Sequence, residues 1–187
     1  HCFMLESADD QKNTGRYTFI GFDPKAEISC KDYNVSIIDE FGSKKINDNP
    51  RQYIKAVLDS HKAPRLDYLP TFSGGLVGYF GYDYIKYSEP KLKLGEHEDP
   101  DFRDMDLMLF DQVIAFDHYR QKVLLITGVM TDDLENSFGK AEKKLQEMAD
   151  LIRKGEQKEF PSLKLQSSIE PQFPKEKYCC LLYTSPS

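Results

Sequence analysis

Most of the patterns that announce a chemistry are missing from this chain. The four cysteines, Cys2, Cys30, Cys179 and Cys180, contain no CxxC pair, and the four histidines, His1, His61, His97 and His118, contain no HxxxH or HExxH. Neither residue type therefore offers a protein-ligated metal, and reduced thiols are the expectation. There is no basic run, and 25 Lys and Arg against 31 Asp and Glu give a formal charge of −6. That balance disfavours nucleic acid and anionic membrane surfaces as partners. No apolar stretch approaches the ~20 residues of a bilayer-spanning helix. No basic region followed by an apolar one opens the chain, so a cytoplasmic location is the expectation. The carboxylates and histidines are dispersed, with no nucleophile, acid and base grouped together, and no catalytic residue is assigned.

What is present points to a packed core. The 187 residues are 40% hydrophobic and 12% aromatic, enough to bury one sizeable core. Residues 69–87 hold four of the 11 glycines and four of the 11 tyrosines, and predict a buried strand feeding a short helix from Tyr82 that closes before Pro90. Gly74, Gly75, Gly78 and Gly81 act there as packing devices, with Phe72, Leu76, Val77 and Phe80 as apolar cover. A phosphate cradle is the sharper alternative. It is weaker, because Gly75-Leu-Val-Gly78 lacks the GxGxxG spacing and no Lys-Ser or Lys-Thr follows.

Around that stretch the patterning predicts strands at 2–7 and 16–22, antiparallel to each other, then a meander through 26–31, 34–39 and 44–46. Asn49-Pro50 predicts a capped helix ending near His61, with Tyr53, Val57 and Leu58 on one face. Residues 91–104 read as a charged loop, with Glu96-His-Glu-Asp99 a solvated surface. The apolar runs 107–117 and 122–127, joined by His118-Tyr-Arg-Gln121, predict a hairpin of central strands buried on both faces. A capped helix starts at Thr131-Asp-Asp-Leu and runs to Lys154-Gly155, its stripe being Leu134, Phe138, Ala141, Leu145, Met148 and Ile152. Residues 156–172 read as a linker. Strand clusters interrupted by two or three flanking helices, without strict βα alternation, predict an α+β domain built on antiparallel sheet.

Four blocks carry a resemblance: Leu5-Glu-Ser7, Gly15-Arg-Tyr-Thr-Phe-Ile-Gly21, Phe72-Ser-Gly-Gly-Leu-Val-Gly-Tyr-Phe-Gly-Tyr-Asp83 and Asp106-Leu-Met-Leu-Phe-Asp-Gln-Val-Ile-Ala-Phe-Asp-His118. In this order, and from residue 2 to about 179, the chain resembles the N-terminal region of the anthranilate synthase component I family. The resemblance implies a regulatory N-terminal domain at 1–155, a linker at 156–172 and the start of a chorismate-binding domain at 173–179. Residues 180–187 do not continue the pattern and are expected to be a non-native tail on a truncated fragment. In that family the complete subunit is a lyase that binds chorismate and Mg²⁺ through the C-terminal domain, with ammonia from a glutamine amidotransferase partner. Its product is anthranilate, on the route to tryptophan. All chorismate and Mg²⁺ ligands would lie beyond residue 179, so the fragment is expected to be inactive and to hold no cofactor.

The same resemblance assigns Leu5, Glu6, Ser7 and Arg16 to a tryptophan feedback site. An amino acid needs a carboxylate for its ammonium, a cation or hydroxyl for its carboxylate, and an apolar slot for its side chain. From the residues alone, Glu6 and Ser7 merely end a strand and Arg16 is a surface cation; only the resemblance reverses that order. Aminodeoxychorismate synthase component I, of folate synthesis, and a non-catalytic binding or scaffold module are the alternatives.

Overall fold

A computed structural model describes residues 1–6, 15–89, 91–92, 102–156, 161–162, 164–171 and 173–184. Ser7, the Glu96-to-Asp99 segment, most of the loop at 8–15 and part of the 156–172 segment lie outside the described residues. The chain divides into two compact units, His1–Lys154 and Gly155–Ser187.

The first unit is built on two antiparallel sheets. β1 (Cys2–Glu6) pairs with β2 (Tyr17–Phe22), as its alternation and aromatic content predict. The chain then changes sheet at Asp23, whose φ is +55°. β3 (Ala26–Lys31), β4 (Asn34–Asp39) and β5 (Gly42–Asn47) form the predicted meander, but in the second sheet rather than as a continuation of the first. Their hairpin turn places Asp32 at φ +49° and Tyr33 at φ +63°, the left-handed pair that a two-residue loop needs to match strand twist. β6 (Gly75–Phe80) and β7 (Met105–Phe110) complete this sheet in the order β5-β4-β3-β7-β6. β8 (Gln112–Asp117) and β9 (Lys122–Thr127) complete the other in the order β1-β2-β8-β9.

Three expectations are corrected here. The apolar run 107–117 is not one strand: it breaks at Asp111, giving β7 to one sheet and β8 to the other. The Asp111 carbonyl accepts from Gly128 N at 2.6 Å, and its carboxylate lies 3.4 Å from both Lys25 and Lys144 Nζ. These bonds draw the residue out of either ladder. β9 is an edge strand rather than a central one, although β7 and β8 are interior. β6 is an edge strand too, with Tyr79 and Phe80 40% and 53% exposed, rather than the buried strand that its glycines and apolar residues predict.

α1 (Pro50–Ser60) starts as predicted, with Asn49 Oδ1 accepting from Arg51 N at 3.0 Å and Pro50 in the first turn. Pro50 is buried, and Tyr53, Ile54 and Val57 pack on the core. Leu58, one residue or about 100° past Val57, falls off that stripe and is 50% exposed. α2 (Leu134–Lys154) begins three residues after the predicted Thr131 and packs along β9. Ala141 and Met148 are buried, whereas Leu134, Phe138 and Ile152 of the predicted stripe are exposed. The core between α1 and the second sheet is Ile28, Cys30, Val35, Ile37, Met105 and Leu107, closed by Tyr87. In the second unit α3 (Lys175–Thr184) runs through the boundary expected at 179/180, and every residue from 173 to 183 is exposed.

Candidate functional site

Of the predicted site residues, Leu5, Glu6 and Arg16 lie at one end of the first sheet. The register sets Leu5 opposite Phe19 and Glu6 opposite Thr18, so alternation directs Leu5 and Glu6 to opposite faces of β1. Leu5 is 48% exposed, and Glu6 is exposed as well. Arg16 immediately precedes β2 and is bonded twice to Asp117 at the end of β8: Nε to Oδ1 at 3.1 Å and Nη2 to Oδ2 at 2.6 Å. This two-pronged bond, helped by the Arg120 N–H, holds the Asp117 carboxyl down to about pKa 2. The guanidinium lies 4.7 Å from the Tyr17 ring centroid and 5.7 Å from that of Tyr119. The cation that the sequence offers to a ligand is thus already paired with a buried carboxylate 101 residues away.

Beside this pair stands a group that spacing does not reveal. His118 N donates to the Arg16 carbonyl at 2.9 Å, and His118 Nε2 is 2.7 Å from Thr18 Oγ1. Thr18 is buried and His118 exposed. Glu6, Thr18 and His118 therefore share one face of β1, β2 and β8. The one sequence signal for His118 is its place as the last residue of the fourth block.

A second polar group lies where the 3₁₀ helix Tyr82–Tyr87 meets the β3–β4 turn. Tyr87 Oη donates to Asp104 Oδ2 at 2.5 Å and accepts from Tyr33 N at 3.3 Å, with Cys30 Sγ also at 3.3 Å. Lys86 Nζ reaches Asp32 Oδ1 at 2.6 Å and Asp104 Oδ2 at 3.0 Å, and Asp32 N donates to Asp104 Oδ2 at 3.0 Å. Burial alone would lower the Lys86 pKa, but bonds to Asp32 and Asp104 raise it. Burial alone would raise that of Asp104, but the Tyr87, Asp32 and Lys86 donors lower it. Burial and the Asp104 bond push the Tyr87 phenol up, and burial raises the Cys30 thiol. A neutral, buried thiol is unreactive. The cluster joins sequence-distant segments.

The glycines of the 69–87 stretch sit where backbones crowd. A Cβ on Gly78, whose φ is +158°, would meet the Asp106 carbonyl oxygen on β7 at 2.0 Å, and one on Gly74, at φ +141°, would meet that of Phe110 at 3.0 Å. Gly75 also has a positive φ, +135°, and Gly81 packs against Phe102 and the carbonyls of Arg103 and Asp104. Among the described residues no three His, Cys, Asp or Glu side chains converge to hold a metal ion. Those residues do not fit Mg²⁺. Among the described residues no helix is long and apolar enough to cross a membrane.

Two antiparallel sheets with flanking helices define the class, an α+β domain. The same fold occurs in the crystal structure of anthranilate synthase component I from Streptococcus pneumoniae TIGR4: TM-score 0.67 at 23% identity, over 95% of this chain and 39% of that one. The family model described as chorismate binding enzyme matches residues 1–182, and the chain belongs to that family. The match takes in 180–182, part of the stretch expected to be a tail. Anthranilate synthase component 1 of Pseudomonas putida is 32% identical over 155 residues, 81% of this chain and 31% of that protein. Its namesake in Acetivibrio thermocellus is 32% identical over 139 residues, 73% of this chain and 28% of that protein. The chain spans about a third of the length of the curated relatives it matches.

Proposed function

We propose that this chain is the N-terminal, regulatory region of an anthranilate synthase large subunit, a cytoplasmic lyase that turns chorismate and ammonia into anthranilate and pyruvate. The observation that carries the reading is the match to proteins named anthranilate synthase component 1 over 81% and 73% of the chain. The rest of the subunit supplies the chorismate and Mg²⁺ ligands, and a glutamine amidotransferase subunit supplies ammonia. No residue of this region enters the chemical step. Its task is to bind tryptophan at the end of the first sheet, where Glu6 offers a carboxylate to the ammonium on the face of β1 opposite Leu5. Arg16, with Asp117, braces the strand ends.

The test is the product formed by the complete subunit with chorismate, Mg²⁺ and ammonia, followed by anthranilate fluorescence. Anthranilate formation by the complete subunit, absent with this chain alone and inhibited by tryptophan, is the expected result. Aminodeoxychorismate as product, or anthranilate formed by this chain alone, overturns the assignment.

A further inference from the structure

We propose that His118 belongs to the tryptophan site and receives the carboxylate of the bound amino acid, while Glu6 receives its ammonium. This rests on the feedback assignment above and adds a residue that spacing does not reveal. Glu6 faces Thr18 across β1 and β2, and Thr18 Oγ1 is 2.7 Å from Nε2 of His118, one residue past β8, so the three groups line one face at the end of three neighbouring strands.

Two strand spacings of about 4.8 Å, with His118 two residues of about 3.3 Å past Phe116, the residue opposite Thr18, set the Glu6 and His118 backbones about 12 Å apart. The ammonium and carboxylate of an α-amino acid are about 3 Å apart, and a hydrogen bond of about 2.8 Å at each end gives a span of about 9 Å. The His118 ring leans back to Thr18, with Nε2 2.7 Å from Oγ1, so an amino-acid head group laid over Thr18 spans what is left of that distance. In the tautomer in which Thr18 Oγ1 donates to Nε2, the proton sits on Nδ1, and the ring held by that bond presents an oriented N–H to the incoming carboxylate. Arg16 is less suited to the task. Two of its donors are taken by Asp117, whose charge balances its own.

Calorimetry on the complete subunit with L-tryptophan and with tryptamine, which lacks the carboxylate, tests this. His118→Ala should weaken tryptophan about tenfold or more, the loss of one hydrogen bond to a charged group. It should leave tryptamine affinity and the melting midpoint unchanged, and His118→Gln, which keeps an N–H donor, should recover part of the loss. If tryptamine does not bind the parent, tryptophan weakening at an unchanged midpoint is the supporting result. An equal loss for both ligands, a lowered midpoint, or unchanged tryptophan binding where Glu6→Ala weakens it, overturns the role of His118 and leaves the feedback assignment standing. A parent that binds no tryptophan, or a Glu6→Ala variant that binds it as tightly as the parent, overturns the feedback assignment and this inference with it.

Discussion

Replacing Tyr87 by Phe removes one oxygen and leaves the ring packing intact, with its centroid 4.9 Å from Tyr33 and 5.1 Å from Tyr84. Three partners lose it at once: the Asp104 carboxylate, the Tyr33 N–H and the Cys30 thiol. A hydrogen bond to a charged acceptor is worth about 1.5–3 kcal/mol, and a buried donor left unpaired costs about 1–3 kcal/mol. Two features reduce the sum. Asp104 keeps its bonds from Lys86 Nζ and Asp32 N, and Tyr33 is 39% exposed, so water can reach the turn. A net loss of about 2–3 kcal/mol follows, with a fall in melting midpoint of about 4–12 °C for a chain this long. Urea unfolding followed by circular dichroism should show a lower midpoint concentration at an unchanged m-value. A loss under about 0.5 kcal/mol would refute the reasoning, because the cluster would then be a coincidence of packing rather than the tie between the 3₁₀ helix and the β3–β4 turn.

Stability should fall at both ends of the pH range. The Asp104 and Asp117 carboxyls are lowered, so their contribution is complete above an ordinary carboxyl pKa of about 4 and is lost as pH falls toward about 2 for Asp117. The Lys86 and Tyr87 pKa values are raised, so their contribution is complete below about 10 and is lost as pH rises beyond it; melting midpoints measured from pH 2 to 11 check both limbs. Gly78→Ala should cost at least about 2 kcal/mol, because the obstacle to its Cβ is the Asp106 backbone rather than a movable side chain; a midpoint near the parent's would mean that β6 slides at little cost. In the complete subunit Glu6→Ala should relieve tryptophan inhibition with uninhibited activity retained, since inter-site coupling is typically ~1–3 kcal/mol and one charge-assisted contact is of that size; inhibition curves for parent and variant would coincide if Glu6 only ends a strand.

Local chemistry determined the elements. Asn49-Pro50 set the start of α1, β-branched and aromatic residues set β2 to β4, and the Leu145 and Met148 spacing marked the packed part of α2. These signals need only neighbours a few residues away, so they survive in the sequence, and so did the four blocks on which the family resemblance rests. Tertiary structure decided which strand lies beside which. Residues 107–117 are one apolar run in the sequence, but Asp111 divides them between two sheets by bonding to Lys25, Gly128 and Lys144. Glycine and aromatic content could not show that β6 lies at an edge, because edge position depends on the other strands of the sheet. The site follows the same division. Glu6 was visible as a carboxylate at a strand end, whereas the commitment of Arg16 to Asp117 and the seating of His118 on Thr18 join residues 101 and 100 positions apart. Such contacts exist only once β2 and β8 are paired, because a hydrogen bond is set by distance and direction in space and leaves no period in the chain.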